Sequence, residues 1–108
     1  MKTIQCPLCG TSRTMGQCQI SNCSHCTAEI STDRNNRVSK VRLRVGTLLP
    51  ELKSLVSRRK RAEAEALLDE LQNATLYRLW ESSRSYEDED NYRVVQEVRK
   101  QFREWVIQ

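Results

Sequence analysis

The stretch CPLCGTSRTMGQCQISNCSHC, Cys6 to Cys26, contains all five cysteines and the single histidine of this 108-residue chain. It begins and ends with a Cys-X-X-Cys pair, formed by Cys6 with Cys9 and by Cys23 with Cys26. Four thiolates in two such pairs are a ligand set of tetrahedral structural zinc, and an odd number of cysteines argues against a closed set of disulfides. We therefore predict one structural Zn²⁺ ion bound by these four cysteines.

The residues CPLCG, Cys6 to Gly10, resemble the metal knuckle of rubredoxin-like and zinc-ribbon proteins. In that knuckle, the turn directs backbone N–H groups at the first sulfur, and the glycine accommodates a positive φ. The resemblance covers residues 6–26 only and implies two knuckles that each supply two thiolates. The second pair departs from the pattern because Thr27 follows it in place of glycine. The interval between Cys9 and Cys23 is rich in Gly, Ser, Thr and Asn, which favours a short hairpin or an irregular loop.

Two further candidate ligands remain, Cys18 and His25. In the simplest interpretation Cys18 is a small buried side chain and His25 is an exposed residue of the second knuckle. Alternatively, Cys18 replaces Cys26 in the site, or a bridging thiolate holds two metal ions. An iron–sulfur cluster would also accept four cysteines.

A chain of this length forms one compact domain, or a small metal module joined to a short helical one. We predict a small α+β protein, with a zinc-binding module over residues 1–33, a linker and basic strand over 34–46, and a helical domain over 47–108. Alternation of apolar and basic residues indicates the strand, which Gly46 is expected to end. The apolar face is Val41, Leu43 and Val45, and the basic face is Lys40, Arg42 and Arg44.

The remaining apolar residues recur with helical spacing and predict three or four helices. Pro50 is expected in the first turn of the first helix, where its missing N–H group costs nothing. The basic run 57–61 is expected to end that helix, and a break at Asn73 would divide the next one. Ser85 is a favourable N-cap for the last helix, whose first turn is acidic.

The net charge of +4 is unevenly distributed along the chain. Residues 34–61 contain ten Lys or Arg against one Glu, whereas residues 62–108 contain eleven acidic residues against six basic ones. Concentrated positive charge suits the phosphates of DNA or RNA, although the acidic run 87–90 could neutralise it within the chain or in a dimer. The predicted nucleic-acid residues are Arg34, Arg37, Lys40, Arg42, Arg44, Arg58, Arg59, Lys60 and Arg61.

Trp80, Phe102 and Trp105 are expected to fill the core between the helices. In so small a chain, the apolar faces of the helices can present more surface than one monomer buries. The apolar surface left exposed would bind a partner, a larger assembly or a second copy. We therefore predict these three residues as partner-binding.

The N-terminus leads directly into the cysteines without the apolar segment of a secretory signal, and no apolar stretch approaches the ~18 residues of a membrane span. We expect a cytoplasmic protein, or a nuclear one if the source has a nucleus. No Ser/His/Asp set or phosphate loop supports an enzyme. The sequence favours a non-enzymatic accessory or regulatory protein that binds zinc, nucleic acid and a protein partner. The alternative is a structural or adaptor subunit of a larger assembly without direct nucleic-acid binding.

Overall fold

A computed structural model of the chain describes residues 2–81 and 85–107. Within these residues, short antiparallel strands form the N-terminal part and three helices the C-terminal part, which confirms the predicted small α+β class. The strands are β1 (Lys2–Gln5), β2 (Ser12–Met15), β3 (Ile20–Asn22), β4 (Glu29–Thr32) and β5 (Val38–Arg42), and the helices are α1 (Val45–Ser57), α2 (Arg61–Glu81) and α3 (Tyr86–Ile107).

Each Cys-X-X-Cys pair lies in the loop that joins two paired strands. β1 pairs with β2 around the first pair of cysteines, β3 pairs with β4 around the second, and β5 pairs with the other edge of β4. A short hairpin is one of the two forms predicted for the interval between Cys9 and Cys23, and it is wrong. The strands in this interval are β2 and β3, and they belong to different sheets. Each knuckle itself reverses the chain, so the strands that it brings side by side are those that flank it.

The basic strand is present but ends earlier than predicted. β5 ends at Arg42 and α1 begins at Val45, so Gly46 lies inside the helix and does not end the strand. The predicted alternation holds on either side of Arg42, because Val41 and Leu43 are buried while the basic residues between and beside them are exposed. The apolar face of the strand therefore packs into the core.

Pro50 is the sixth residue of α1, and its predicted place in the first turn is wrong. An interior proline removes one helical hydrogen bond and costs about 3 kcal/mol. Because α1 begins before Pro50, it includes Leu48 and Leu49, which are buried together with Leu52. Full burial of a leucine contributes about 1.5–3 kcal/mol, so the two additional leucines offset the proline.

The break between α1 and α2 lies where the basic run predicts it. Arg59, between the two helices, has a positive φ of 61°. The N–H group of Lys60 donates a hydrogen bond to the carbonyl of Leu55 at 2.8 Å. The first helix is therefore capped at its C-terminus without the glycine that usually occupies such a position.

The second helix continues through Asn73, so the predicted break there is wrong. Leu71 and Thr75 are buried on the same helical face, and the Thr75 hydroxyl donates to the Leu71 carbonyl at 2.7 Å. The predicted N-cap of α3 is confirmed, because the N–H group of Asp88 donates to Ser85 Oγ at 3.2 Å. Among residues 2–81 and 85–107, each helix is either too short or too polar to span a lipid bilayer.

One continuous cluster of buried apolar side chains joins the strands to the helices. Ile4 and Met15 from the first sheet, Ile30 from the second and Phe102 from α3 all belong to it. Of the knuckle cysteines, Cys6, Cys23 and Cys26 belong to the same cluster and Cys9 packs against it. The N-terminal part therefore has apolar burial of its own in addition to its cysteines.

The two tryptophans have different environments. Trp105 is partly buried, with its ring centroid 6.1 Å from that of Phe102 and 5.5 Å from Lys53 Nζ. Trp80 is 82% exposed, so the expectation that it fills the core is wrong. Trp80 comes nine residues after the buried Leu71, a spacing that places it on the opposite side of α2.

Candidate metal centre

Four thiols meet between the tips of the two hairpins. The Sγ atoms of Cys6, Cys9, Cys23 and Cys26 all lie within 4.8 Å of one another. The Cys6 and Cys26 sulfurs are 3.6 Å apart, and the Cys9 and Cys23 sulfurs are 3.5 Å apart. A tetrahedral ion with metal–sulfur bonds of about 2.3 Å places its sulfurs about 3.8 Å apart. These four cysteines, the ones predicted from the sequence, therefore have the spacing of ligands around one metal ion.

The two knuckles share one backbone geometry. In the first, the N–H group of Gly10 donates to the Cys6 carbonyl at 2.9 Å, and Gly10 has a φ of 78°. In the second, the N–H group of Thr27 donates to the Cys23 carbonyl at 3.0 Å, and Thr27 has a φ of 65°. The second knuckle thus forms the same turn with a β-branched residue in the left-handed region that favours glycine.

Hydrogen bonds within the cluster distribute the thiol protons unevenly. The thiols of Cys6 and Cys26 form a hydrogen bond, and this bond, helped by the N–H groups of Cys9 and Leu8 and opposed by burial, lowers the pKa of Cys6 to about 5. The same interaction with Cys6, and then burial, raises the pKa of Cys26. Burial also raises the pKa of Cys9, against the effect of its hydrogen bond to the Thr11 hydroxyl. The lowered pKa of Cys6 favours its thiolate, the form that binds metal.

Arg13 connects the two hairpins beside the thiols. Its guanidinium donates through Nη1 to the carbonyl of Asn22 and through Nη2 to the hydroxyl of Ser21. Asn22 directly precedes Cys23, so this contact positions the second knuckle relative to the first. A lone arginine in a polar segment forms no motif, and the sequence therefore gives no sign of this role.

Cys18 and His25, the alternative ligands, lie outside the cluster. Cys18 is exposed in the turn between β2 and β3, where its N–H group donates to the Asp33 carbonyl at 3.1 Å. The expectation that Cys18 is buried is therefore wrong. His25 is exposed, as expected, and its Nε2 atom lies 3.2 Å from Glu70 Oε2 on α2. In the described residues, neither side chain joins the four thiols.

The predicted basic residues form two separate groups. The first is on the β4–β5 hairpin and directly after it, and comprises Arg34, Arg37, Lys40, Arg42 and Arg44. The second is at the junction of α1 and α2, and comprises Arg58, Arg59, Lys60 and Arg61. Helix α1 separates them, and a helix of 13 residues spans about 20 Å. The two basic groups therefore do not form one contiguous surface.

In the described residues, ion pairs within 4.0 Å involve three members of the junction group and one member of the hairpin group. At the junction, the ion pairs are Arg58 with Glu51 at 3.7 Å, Lys60 with Glu63 at 4.0 Å and Arg61 with Glu65 at 3.2 Å. On the hairpin group, Arg44 pairs with Glu29 at 3.8 Å. Among residues 2–81 and 85–107, no ion pair within 4.0 Å involves Arg34, Arg37, Lys40 or Arg42.

A groove of about 280 Å³ separates β5 from α3 and carries opposite charges on its two sides. Lys40 and Arg42 line it from β5, and Glu87 and Asp90 line it from α3. Tyr86 lies at the α3 side of the same groove. The acidic run considered as a neutralising partner for the basic strand therefore lies beside that strand in the same chain.

The three predicted partner-binding residues do not share one surface. Phe102 is only 5% exposed, and Trp105 is partly buried beside it. Trp80 lies near the first residue of α3 and Trp105 near the last, and a helix of 22 residues spans about 33 Å. Among these three, Trp80 alone presents most of its ring to solvent.

Comparison with known protein families, with curated proteins and with solved structures finds no significant match for this chain. The likeness to a zinc-ribbon knuckle therefore rests on the residues of the two Cys-X-X-Cys pairs and on the proximity of their sulfurs. It extends to the metal site and not to the helical part.

Proposed function

We propose that this chain is a non-enzymatic accessory or regulatory protein, ordered at its N-terminal part by one structural Zn²⁺ ion. The observation that carries the proposal is the approach of four cysteine sulfurs to within 4.8 Å. Zn²⁺ fits because it takes four thiolates in tetrahedral geometry. An iron–sulfur cluster fits less well, since its own iron and sulfide atoms hold the surrounding cysteine sulfurs further apart.

A structural role for the metal agrees with the number of ligands. A catalytic zinc ion keeps one position open for water or substrate, whereas four thiolates fill a tetrahedral shell. His25, the single imidazole of the chain, contacts Glu70 and not the thiols. These features support a protein that binds partners and does not transform a substrate.

Metal analysis of the purified chain and of two cysteine variants tests the zinc site. We expect one zinc per chain in the wild type and in Cys18→Ser, and loss of zinc in Cys9→Ser. Cys18 is the matched control because it lies in the same segment but outside the cluster. Iron in place of zinc, or loss of the metal from Cys18→Ser, would contradict the assignment.

The nucleic-acid contact is proposed for the β4–β5 hairpin, with Arg34 and Arg37 as its principal phosphate ligands. Both are exposed, neither is in an ion pair within 4.0 Å in the described part of the chain, and neither lines the groove beside Glu87 and Asp90. Arg44 would extend this contact, whereas Lys40 and Arg42 would contribute less, because they line the groove beside Glu87 and Asp90. The junction group would contribute less, because three of its four members are paired with carboxylates.

A salt titration of binding to short duplex DNA and to single-stranded RNA tests this contact. We expect the double variant Arg34→Gln/Arg37→Gln to weaken binding and to reduce the log–log salt slope by about 0.9 for each lost contact with duplex phosphate. The control is Lys100→Gln/Arg103→Gln, which removes the same charge from an exposed part of α3. Absence of binding at low salt, or an equal loss in the control, would reject the hairpin contact.

The second candidate function is that of an adaptor subunit without direct nucleic-acid binding. The exposed ring of Trp80, together with those of Tyr77 and Tyr86, favours a role in protein association. The salt titration separates the two candidates, since an adaptor would retain its partner contacts and show no affinity for nucleic acid.

A further inference from the structure

Exposed apolar side chains are concentrated at the end of the molecule where α2 ends and α3 begins. In the described residues, six large apolar side chains are exposed, and four of them are Leu76, Tyr77, Trp80 and Tyr86. The remaining two, Ile20 and Ile107, lie on β3 and at the last residue of α3. We call the four residues the aromatic end.

The aromatic end has the composition of an interface centre. Leu76, Tyr77 and Trp80 are spaced three and four residues apart, so they share one face of α2. Tyr77 is 65% exposed and Tyr86 is 79% exposed. Tryptophan and tyrosine dominate the binding energy of protein interfaces, because each buries a large apolar area together with one polar group. Such a group of rings on one small protein indicates a protein-binding surface.

Charges beside Tyr86, the member of the aromatic end on α3, identify the kind of partner. Tyr86 opens onto the groove whose β5 side is basic, with Lys40 and Arg42, and whose α3 side is acidic, with Glu87 and Asp90. No ion pair within 4.0 Å joins the two sides in the part of the chain that the structure describes. The groove therefore presents positive and negative charge next to each other, with the ring of Tyr86 at its α3 side.

A second copy of this chain complements both charges at once. A two-fold axis through such a surface places the basic side of one protomer against the acidic side of the other, and repeats the contact in reverse. Phosphates of nucleic acid would be repelled by Glu87 and Asp90. A purely basic or purely acidic peptide would be attracted by one side of the groove and repelled by the other.

We propose that this chain forms a two-fold symmetric homodimer through the aromatic end, with Lys40 and Arg42 of one protomer facing Glu87 and Asp90 of its partner. The rings of Tyr77, Trp80 and Tyr86 form the centre of the interface. The proposal goes beyond the function proposed above and does not depend on nucleic-acid binding, since the protein alone is sufficient to test it.

Sedimentation velocity of the full, zinc-loaded chain over the micromolar range tests the dimer. We expect a concentration-dependent monomer–dimer equilibrium, weakened at least tenfold by Trp80→Ser and similarly by Tyr77→Ser. Ile107→Ser is the matched control, because it removes an equally exposed apolar side chain from the far end of α3 and should leave the equilibrium unchanged. Zinc content and helical circular dichroism establish that each variant is folded.

Charge reversal tests the two-fold arrangement itself. Arg42→Glu and Glu87→Arg should each dissociate the dimer, because each places like charges across the interface. An equimolar mixture of the two variants should associate again, since every contact then joins opposite charges. A wild type that stays monomeric, an unaffected Trp80→Ser variant, assembly beyond the dimer, or a mixture no more associated than its components would overturn the proposal.

Discussion

Asn91 of α3 accepts a hydrogen bond through Oδ1 from the backbone N–H group of Leu43 at 2.9 Å. Its Nδ2 atom donates to the carbonyl of Val41, also at 2.9 Å. Asn91 is buried, so its amide takes the place of a neighbouring strand along the edge of β5. This pairing covers an edge that would otherwise expose unpaired backbone groups, and it attaches the basic strand to the helical part.

Replacement of Asn91 by alanine is expected to destabilise the protein by about 3 kcal/mol, because it leaves two buried backbone groups without partners. Urea unfolding of the zinc-loaded chain measures the change. Asn73→Ala is the control, since Asn73 is an exposed asparagine inside α2, and its replacement should change stability by less than about 0.5 kcal/mol. Equal effects of the two substitutions would show that the Asn91 bridge contributes nothing.

The two knuckles predict opposite effects of substitution at equivalent positions. Thr27→Gly should stabilise the folded chain by about 1 kcal/mol, because it relieves a β-branched residue at a φ of 65°. Gly10→Ala should destabilise it by about 1 kcal/mol through backbone conformation alone, since a Cβ at Gly10 meets no atom within 4 Å. Urea unfolding with excess zinc measures both, and a destabilising Thr27→Gly would contradict the assignment of strain to this residue.

Zinc affinity is expected to fall steeply with decreasing pH, because protons and metal compete for the same thiolates. The raised pKa values of Cys9 and Cys26 mean that binding must displace at least these two protons near neutral pH. The association constant should therefore fall at least about 100-fold per pH unit there, with a further tenfold per unit below the pKa of Cys6, about 5. Competition with a chromogenic chelator measures this dependence, and a shallower one near neutral pH would refute it.

Arg13 is expected to act on the metal site as a positioning residue. Arg13→Gln should lower zinc affinity about 10-fold to 100-fold, because the second knuckle loses its connection to the first hairpin. Arg34→Gln is the matched control, an arginine exposed in the β4–β5 turn, and it should leave zinc affinity unchanged. Chelator competition at constant pH and salt distinguishes this outcome from a general effect of removing positive charge.

The candidate metal ligands and two of the helix boundaries could be predicted because they depend on local chemistry. Two Cys-X-X-Cys pairs place their thiols within reach of one ion through the turns that contain them. The cap at Ser85 and the basic run that separates α1 from α2 act on backbone groups a few residues away. A few neighbouring residues are therefore sufficient to predict these features.

Interactions between distant residues could not be predicted in this way. The continuity of α2 through Asn73 depends on burial of Leu71 and Thr75 in the core. The proline inside α1 is tolerated because Leu48 and Leu49 find a buried environment provided by other elements. In both cases the free energy gained by burying apolar side chains exceeds the local cost of a residue that is unfavourable in a helix.

The sequence by itself indicated the four cysteines whose sulfurs meet, because two Cys-X-X-Cys pairs favour these residues as ligands before the rest of the chain is considered. Only the tertiary structure decided how the hairpins pair, how far apart the two basic groups lie, and that Trp80 stays exposed while Phe102 is buried. It also placed Glu87 and Asp90 opposite Lys40 and Arg42. The physical reason is that these arrangements depend on contacts such as that of Asn91 with Leu43, which join residues far apart along the chain and leave no local pattern.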